Sequence, residues 1–465
     1  MSRLSRSALT AYAERVRPTY ERWLRRLVEI PTVSSDPSRS ADVARGAAVA
    51  AELVRSLGGQ ARLVKTGGHP LLVGELPGPR GAPVLTLYNH LDVQPADLES
   101  EGWRTDPFRL VKRGGRYFGR GATDDKGPAL AALFGAAAAH RAGVPATVKL
   151  LWETEEEIGS PHLRPTLLRL RRNVATGAVV ISDGAWLTRK TPTVTAGLRG
   201  WQGFRFTLET ADAEAHSGIV GGAARNPLGE LMDLACALHD PRTGRVRVPG
   251  FYAGVLRPAR AERAEFRRSG FTLRAFRRDN RLRRLRSSDA LEVMERIWTQ
   301  PTFEVHGLAG GHQGPGLKAV VPARAELKAS CRLAPGQDPA RVAALISSFA
   351  RRHNPDVVVE TMPEGSPAVR VDPAGPLAAA IKSGVAFAFG REPALVRDGG
   401  SMSAVTSLQE VLGCPVGCLD LSLPDHGYHA PNENFEWEQA AGGMAAFARL
   451  VEEWAGAGKQ VPARA

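Results

Sequence analysis

The chain has 465 residues, too many for one average domain, and 43% of them are hydrophobic and 23% charged, as in ordinary globular proteins. Its formal net charge of +13 would suit a polyanion-binding protein. The basic residues, however, are 52 arginines and only 9 lysines beside many alanines and glycines. Such an excess of arginine over lysine is typical of a bias in the composition of the coding sequence and does not indicate a nucleic-acid-binding surface. A solvated basic surface is therefore the simpler interpretation.

The cysteines and the apolar runs argue against a disulfide-rich protein and against a membrane or secreted protein. Cys236, Cys331, Cys414 and Cys418 form no CxxC pair, so we expect reduced, mostly buried thiols rather than a disulfide framework. The longest apolar run, residues 129–139, is too short to span a membrane, and no secretory signal pattern is visible. We therefore expect a soluble, cytoplasmic protein without a membrane partner.

The first 182 residues predict alternating strands and helices. Helical spacing of apolar residues predicts two opening helices, and short β-rich runs predict the strands that follow. The predicted helices are 8–30, 41–58, one after Gly127, and 162–172; the predicted strands are 61–64, 71–75, 84–88, 148–153 and 178–182. Such alternation favours a largely parallel sheet covered by helices.

The pattern changes near residue 200. Residues 200–208 alternate like an edge or antiparallel strand, and residues 320–334 alternate like a half-buried strand. Further predicted elements are helix 226–239, helix 338–351, strand 357–361, a helix from Pro376, the segment 411–421 and a last helix at 437–454. Residues 257–286 hold 12 arginines and few aliphatic side chains, which predicts an exposed excursion.

These patterns predict two domains. Residues 1–199 and 374–465 would form one discontinuous domain, and residues 200–373 a second, α+β domain inserted into it.

His90 and Asp92 follow the predicted strand 84–88 directly. In open α/β sheets the carboxyl ends of the strands are where ligands bind. A carboxylate that accepts the second ring N–H of a histidine ligand fixes its tautomer and raises its basicity. The pair therefore suits a metal ligand supported by Asp92, although two polar residues at a strand end would look the same.

Further acids and a histidine follow other predicted strands or occupy loops. They are Asp124-Asp125 in a glycine-rich loop, the triplet Glu155-Glu156-Glu157, Asp183, and His429 in the loop 424–433. Each has an ordinary structural explanation, such as dipole pairing at a helix start, a solvated acidic face or a turn. Together they supply oxygen and imidazole ligands without thiolates, which favours a two-metal hydrolytic site over a structural zinc.

Seven motifs in this order resemble the carnosinase-like dipeptidases, the cytosolic nonspecific dipeptidase branch of the acetylornithine deacetylase/succinyl-diaminopimelate desuccinylase superfamily of zinc metallopeptidases. The motifs are HLDVQP, GRGATDDKGP, EEEIGS, SDG, EAHSGIVGG, RDGGS and HAPNE. The resemblance runs from about Ile30 to the last helix. It implies the α/β class, with a zinc-peptidase-like catalytic domain built on a mixed, mostly parallel sheet and an inserted α+β lid and dimerisation domain.

The resemblance also implies a ligand set for two divalent metal ions, zinc in the first place and manganese as the alternative. Asp124 would bridge both ions, and its peptide bond to Asp125 would be cis. The remaining ligands would be His90, Glu157, Asp183 and His429.

Catalytic and substrate-binding roles follow from the same resemblance. The family pattern of two glutamates, one residue and Gly-Ser selects Glu156 as the general base and leaves Glu155 as a neighbour. Asp92 would orient His90, and His216 would reach the active site of the other subunit of a homodimer. Arg332 would bind the carboxylate of a small peptide, and Gly400 and Ser401 would form a substrate loop.

The expected function is two-metal hydrolysis of dipeptides or short peptides with a free C-terminal carboxylate. Ala319 stands where the family often has threonine, and the arginine-rich stretch differs from a more acidic family segment, so the substrate stays open. The alternatives are an N-acyl amino acid deacylase or carboxypeptidase of the same superfamily, and a non-catalytic binding protein. Nucleic-acid binding through residues 257–286 is the least favoured.

Overall fold

The structure is a computed structural model that describes residues 4–362 and 365–457. Residues 1–3 and 458–465 of the predicted discontinuous domain, and residues 363–364 of the predicted inserted domain, lie outside the described residues. The helices are α1 (Arg6–Val28), α2 (Ser40–Ser56), α3 (Gly127–Arg141), α4 (Leu163–Leu170), α5 (Ser217–Val220), α6 (Pro227–Leu238), α7 (Arg260–Arg268), α8 (Leu273–Asp279), α9 (Ala290–Trp298), α10 (Pro339–His353), α11 (Pro376–Phe389), α12 (Ser403–Leu412) and α13 (Trp437–Ala457).

The strands are distributed over two main sheets and several small ones. They are β1 (Gln60–Val64), β2 (Leu71–Leu76), β3 (Val84–His90), β4 (Val111–Arg113), β5 (Arg116–Phe118), β6 (Thr147–Glu153), β7 (Ala178–Ile181), β8 (Thr193–Leu198), β9 (Gly200–Glu209), β10 (Ala215–His216), β11 (Thr302–Gly310), β12 (Val320–Val321), β13 (Arg324–Leu333), β14 (Val358–Thr361), β15 (Val369–Arg370), β16 (Ala394–Asp398), β17 (Val416–Cys418) and β18 (Asn434–Glu436).

The first main sheet has the strand order β1-β2-β6-β3-β7-β17. β3 runs parallel to both β6 and β7, and β17 runs parallel to β7. β2 pairs antiparallel with both β1 and β6. The predicted mixed, mostly parallel sheet is confirmed, and the carboxyl ends of β3, β6 and β7 meet at one edge.

Helices cover both faces of this sheet because alternate residues of its strands are apolar on each side. Leu85 and Leu87 of β3 face a core built with α1, α3 and α13, whereas Tyr88 faces a second core with α4 and α12. α3 and α13 pack very closely, since a Cβ on Gly135 would lie 2.5 Å from the carbonyl oxygen of Met444. This packing fixes α3, whose first residue follows the glycine-rich loop.

The second main sheet is antiparallel throughout, with the order β11-β13-β9-β14. α6 and α10 cover one of its faces and share an apolar core with it, separate from the cores around the first sheet. Residues 200–208 were expected to form an edge strand or an antiparallel strand. β9 is antiparallel, but it lies inside the sheet and not at its edge. The domain boundaries at 199/200 and 373/374 stay a prediction.

Several elements differ from the sequence-based expectation. β3 extends to His90, because the backbone of His90 still pairs with Glu153 of β6. β11 was not predicted, since its residues are largely exposed and its register shifts between Val305 and Gly307. Val411, expected to open a strand-like segment, lies in α12 instead, and the strand begins at Val416.

The arginine-rich stretch forms α7 and α8, and most of its side chains are exposed as predicted. Phe266 and Ser269 are buried, and Phe266 lies in a small cluster with Met294, Trp298 and Val396. The four cysteines are free, but Cys236 is exposed.

In the part of the chain that the structure describes, no helix is both long enough and apolar enough to cross a membrane.

Candidate metal centre

His90 lies at the carboxyl end of β3 and is fully buried. Its Nε2 atom is 3.0 Å from Oδ1 of Asp124 and 3.5 Å from Oδ2 of Asp183. Asp183 follows β7, which is the parallel neighbour of β3, so the two side chains meet at the same sheet edge. His90, Asp124 and Asp183 thus form a first group of potential metal ligands.

A second group shares Asp124 with the first. Nε2 of His429 lies 3.1 Å from Oδ2 of Asp124 and 3.2 Å from Oε2 of Glu157. Glu157 comes shortly after β6, the other parallel neighbour of β3. His429 lies in a loop and has a left-handed backbone with φ of 52°. The ligand atoms of each group lie within 4.8 Å of one another.

The two groups fit a pair of divalent metal ions. Each group offers one imidazole and two carboxylates, a donor set typical of catalytic zinc or manganese sites. Asp124 contributes one oxygen to each group, and its buried Oδ2 accepts no well-aligned hydrogen bond among the described residues. The peptide bond between Asp124 and Asp125 is cis, as the resemblance implied.

The buried carboxylates and histidines of this site shift the pKa values of one another. Burial alone would lower the pKa of His90, but its hydrogen bonds to Asp124 and Asp183 outweigh burial and raise that pKa well above its usual range. Hydrogen bonds to Asp124 and Glu157 raise the pKa of His429 to about 10. Burial raises the pKa of Asp183, because the charged carboxylate is costly in this environment. The cluster therefore favours bound positive charge.

Asp92 connects His90 to the glutamate triplet. Its Oδ1 is 3.5 Å from Nδ1 of His90 and accepts the backbone N–H of Glu156 at 3.2 Å. Its Oδ2 accepts the backbone N–H of Glu157 at 3.0 Å and the hydroxyl of Ser34 at 2.7 Å. The nearest partner of Nδ1 of His90 is instead the main-chain carbonyl of Asp92, at 3.0 Å. The carboxylate lies farther from the histidine than expected, and it holds the turn that carries Glu156 and Glu157.

The three consecutive glutamates lie in different surroundings. Glu157 belongs to the second ligand group. The carboxylate of Glu155 accepts the backbone N–H of His69 at 2.8 Å and lies 2.9 Å from Nδ1 of His162. Glu156 is half-buried, and burial raises its pKa well above the usual range. Glu156 is therefore the member of the triplet that is neither a group ligand nor held by the His69 and His162 contacts.

Glu433 supports Asp124 and was missed by the sequence analysis. Its Oε1 accepts the backbone N–H groups of Thr123 at 2.8 Å and Asp124 at 3.0 Å. Its Oε2 accepts the N–H of Gly121 at 3.0 Å and a guanidinium N–H of Arg120 at 2.8 Å. All of these groups are buried. An arginine inside this glycine-rich loop was the available signal, because a buried guanidinium needs a carboxylate nearby.

The residues predicted to bind substrate lie close to one another. Arg332 of β13 donates to the hydroxyl of Ser401 at 2.8 Å, and that hydroxyl donates to the carbonyl of Arg199 at 2.6 Å. The N–H of Gly400 donates to Asp398 at 2.6 Å. The same loop reaches the glutamate turn, since Ser403 donates to the carbonyl of Gly159 at 2.6 Å.

His216 does not contact the two ligand groups of its own chain. It is exposed in β10, which pairs with β12, and its Nδ1 accepts the N–H of Gly218 at 3.0 Å. Ala319 lies beside it, because its carbonyl accepts the N–H of Ser217 at 2.9 Å. The exposed position leaves the imidazole available to a second molecule.

The fold and the paired ligand groups are those expected of a metal-dependent hydrolase. The sequence pattern of peptidase family M20/M25/M40 matches residues 86–453. This chain therefore belongs to that family of peptidases.

Named relatives narrow the class further. The chain is 30% identical to the Beta-Ala-His dipeptidase of Rattus norvegicus, over 96% of this chain and 94% of the relative. It is also 30% identical to the Cys-Gly metallodipeptidase of Schizosaccharomyces pombe, over 93% and 94%. These matches confirm the predicted branch and the predicted class of enzyme, a metallopeptidase.

Solved structures agree with these sequence matches. Human carnosine dipeptidase 1 has 28% identity and a TM-score of 0.83, over 97% of this chain and 99% of that chain. An M20 family metallo-carboxypeptidase from Sulfolobus solfataricus has 26% identity and a TM-score of 0.87, over 94% and 99%. The predicted α/β metallopeptidase fold is confirmed.

Glu433→Gln tests the support of Asp124. The amide would present N–H donors to the N–H of Gly121 and to Arg120, so we expect a loss of about 3 kcal/mol in the free energy of unfolding. Weaker metal retention should accompany it, because the loop that carries Asp124 loses the two hydrogen bonds that Oε2 of Glu433 accepts. Urea unfolding and metal content after dialysis measure the two effects.

The matched control is Glu438→Gln, an exposed acid in the first turn of α13. It should leave both quantities near their wild-type values. Equal behaviour of the two variants would contradict the role given to Glu433.

Proposed function

We propose that this protein hydrolyses dipeptides or short peptides with a free C-terminal carboxylate. One observation carries the proposal, namely two ligand groups that have Asp124 in common. Glu156 directly precedes Glu157, a member of the second group. The names of the relatives, a Beta-Ala-His dipeptidase and a Cys-Gly metallodipeptidase, support the dipeptide class.

The proposed metal ligands are divided between two ions. His90 and Asp183 would hold one, Glu157 and His429 the other, and Asp124 both. Zinc is the first candidate because of the imidazole and carboxylate donors, with manganese as the alternative. Two ions so placed would polarise the scissile carbonyl and lower the pKa of a water molecule between them.

Glu156 is the proposed general base. It would accept a proton from the attacking water as the new C–O bond forms, and would donate it to the leaving amine as the C–N bond breaks. Asp92 would position this base, since it holds the backbone N–H of Glu156 and lies against His90. The residue therefore has a positioning role in addition to the orientation of one ligand.

Arg332 is the proposed partner of the C-terminal carboxylate of the substrate. A guanidinium can bind a carboxylate with two parallel hydrogen bonds, which fixes the direction of the peptide. Ser401 and Gly400 would complete this part of the site, because Ser401 already holds Arg332. Residues 200–373 would act as a lid that closes over the catalytic domain and excludes water.

A homodimer is the proposed assembly, with His216 donated across the interface to stabilise the developing oxyanion. His216 is exposed and belongs to neither ligand group of its own chain, which supports a role in a second subunit. A cytoplasmic location is part of the same proposal.

A carboxypeptidase is the second candidate. The Sulfolobus structure of that name is as similar in fold as the dipeptidases, and the ligand groups would serve both activities. Longer peptides with a free carboxylate would separate the two, because a dipeptidase should lose activity as the peptide grows.

Glu156→Gln should retain the bound metal ions but lose at least about a hundredfold in kcat, since the amide cannot accept the proton. Metal content by elemental mass spectrometry and steady-state hydrolysis of a dipeptide measure these effects. Glu155→Gln is the comparison that tests the choice within the triplet, and its loss should be far smaller. A larger loss for Glu155→Gln than for Glu156→Gln would overturn the assignment.

Mixed dimers test the position of His216. Homodimers of His216→Ala and of Glu156→Gln should each be nearly inactive. After mixing and exchange, roughly half of the dimers hold one variant of each kind, and each of those has one intact site, so about a quarter of wild-type activity should return. Activity that stays at the level of the separate variants, in a sample where exchange is demonstrated, would exclude the shared site.

A further inference from the structure

A cavity of 1380 Å³ lies over the face of the second main sheet that α6 and α10 leave free. Side chains of neighbouring strands form its floor. Arg332 pairs in register with Thr302, and Ser330 with Glu304, and all four line the cavity. The proposed site for the substrate carboxylate is therefore one end of a larger space. Ligand sites of about 300–1,000 Å³ are usual, so this one has room beyond a small dipeptide.

The arginine-rich stretch forms the opposite wall. Arg257, Arg263, Phe276 and Arg286 from this stretch line the cavity. The stretch is held in place by the burial of Phe266 and by an ion pair of Glu262 with the buried Arg397 at 2.6 Å. Its arginines thus belong to the surroundings of Arg332 and are not only a solvated surface.

The lining of the cavity carries an excess of positive charge. Seven arginines and two glutamates line it, which are Arg199, Arg245, Arg257, Arg263, Arg286, Arg296, Arg332, Glu295 and Glu304. Arg263 pairs with Glu295, and Arg296 pairs with Glu292 at 2.8 Å. The other five arginines make no ion pair within 4.0 Å to any acid in residues 4–362 and 365–457.

Arg199, which lies between β8 and β9, and Arg332 of β13 both hold the loop that carries Gly399 and Ser401. Arg199 donates to the carbonyl of Gly399 at 3.1 Å, and Arg332 to the hydroxyl of Ser401 at 2.8 Å. Burial and the nearby charge of Arg332 lower the pKa of Arg199 to about 10. The C-terminal carboxylate of a peptide would neutralise Arg332 but would leave Arg199 and the other unpaired arginines without a counter-charge. Arg199 is half-buried, and a half-buried cation without a counter-charge favours a second anion.

We propose that the preferred substrates carry a second negative charge, and specifically that they are dipeptides whose C-terminal residue is aspartate or glutamate. The α-carboxylate would bind Arg332, and the side-chain carboxylate would bind Arg199 and the unpaired arginines of the cavity. This inference rests on the proposed peptidase function and names its substrate class.

The experiment compares three dipeptides, Ala-Asp, its isostere Ala-Asn, and Ala-Ala, with the metal-loaded full-length protein. We expect kcat/KM for Ala-Asp to exceed that for Ala-Asn by about tenfold or more at low salt, with the ratio falling as salt rises. Equal or higher values for Ala-Asn would overturn the inference while the peptidase function stands.

Three variants locate the effect. Arg199→Gln should lower the Ala-Asp to Ala-Asn ratio. Because Arg199 also holds backbone carbonyls, the double variant Arg257→Gln with Arg286→Gln tests the same ratio at two exposed side chains. Arg274→Gln is the matched control, since this arginine belongs to the same stretch but does not line the cavity. A ratio that stays at its wild-type value in both the Arg199 and the double variant would overturn the inference.

Binding separates the inference from the peptidase function. Calorimetric titration of metal-loaded Glu156→Gln with Ala-Asp and Ala-Asn should give a dissociation constant about tenfold lower for Ala-Asp. That preference without hydrolysis of any peptide by the wild type would support the acidic-ligand site and contradict the peptidase proposal. No preference, or preferential binding of a single-stranded oligonucleotide over Ala-Asp, would overturn the inference.

Discussion

The carboxylate of Asp124 lies between two histidines, 3.0 Å from His90 and 3.1 Å from His429, and the site depends on keeping it there. A buried acid among other acids is costly unless positive charge compensates it. The chain meets this constraint by holding the backbone of Asp124 on Glu433, and by placing a histidine on either side. Two divalent ions would complete the compensation and explain why so many carboxylates share one sheet edge.

Much of this arrangement could be predicted from the sequence, because parallel strands bring their carboxyl ends together. His90, Glu157 and Asp183 follow β3, β6 and β7, and these three strands are neighbours. Asp124 and His429 were different, since they lie in loops whose course no hydrophobic period describes. Their residue types made them candidates, and the resemblance of their motifs gave them the role of ligands, as it also selected Glu157 within its triplet. The structure places both beside the strand-end residues.

Two features could not be predicted from the sequence. Glu433 acts through backbone N–H groups of a loop more than 300 residues away in the chain. Arg120 indicates that this loop needs a carboxylate, but nothing in the sequence shows which acid supplies it. The arginine-rich stretch was interpreted as a solvated excursion, because composition shows exposure but not what a segment faces. Its arginines line the same cavity as Arg332 and add to the positive charge there. In the proposal above, this segment therefore influences which substrate is preferred.

The central claim is that five residues form two metal sites with Asp124 in common. Anomalous diffraction from crystals of the zinc-loaded protein, recorded on either side of the zinc absorption edge, tests it most directly. The account predicts two peaks per chain, one beside His90 and Asp183 and the other beside Glu157 and His429, both in contact with Asp124. A single peak, or a second peak away from Asp124, would contradict it.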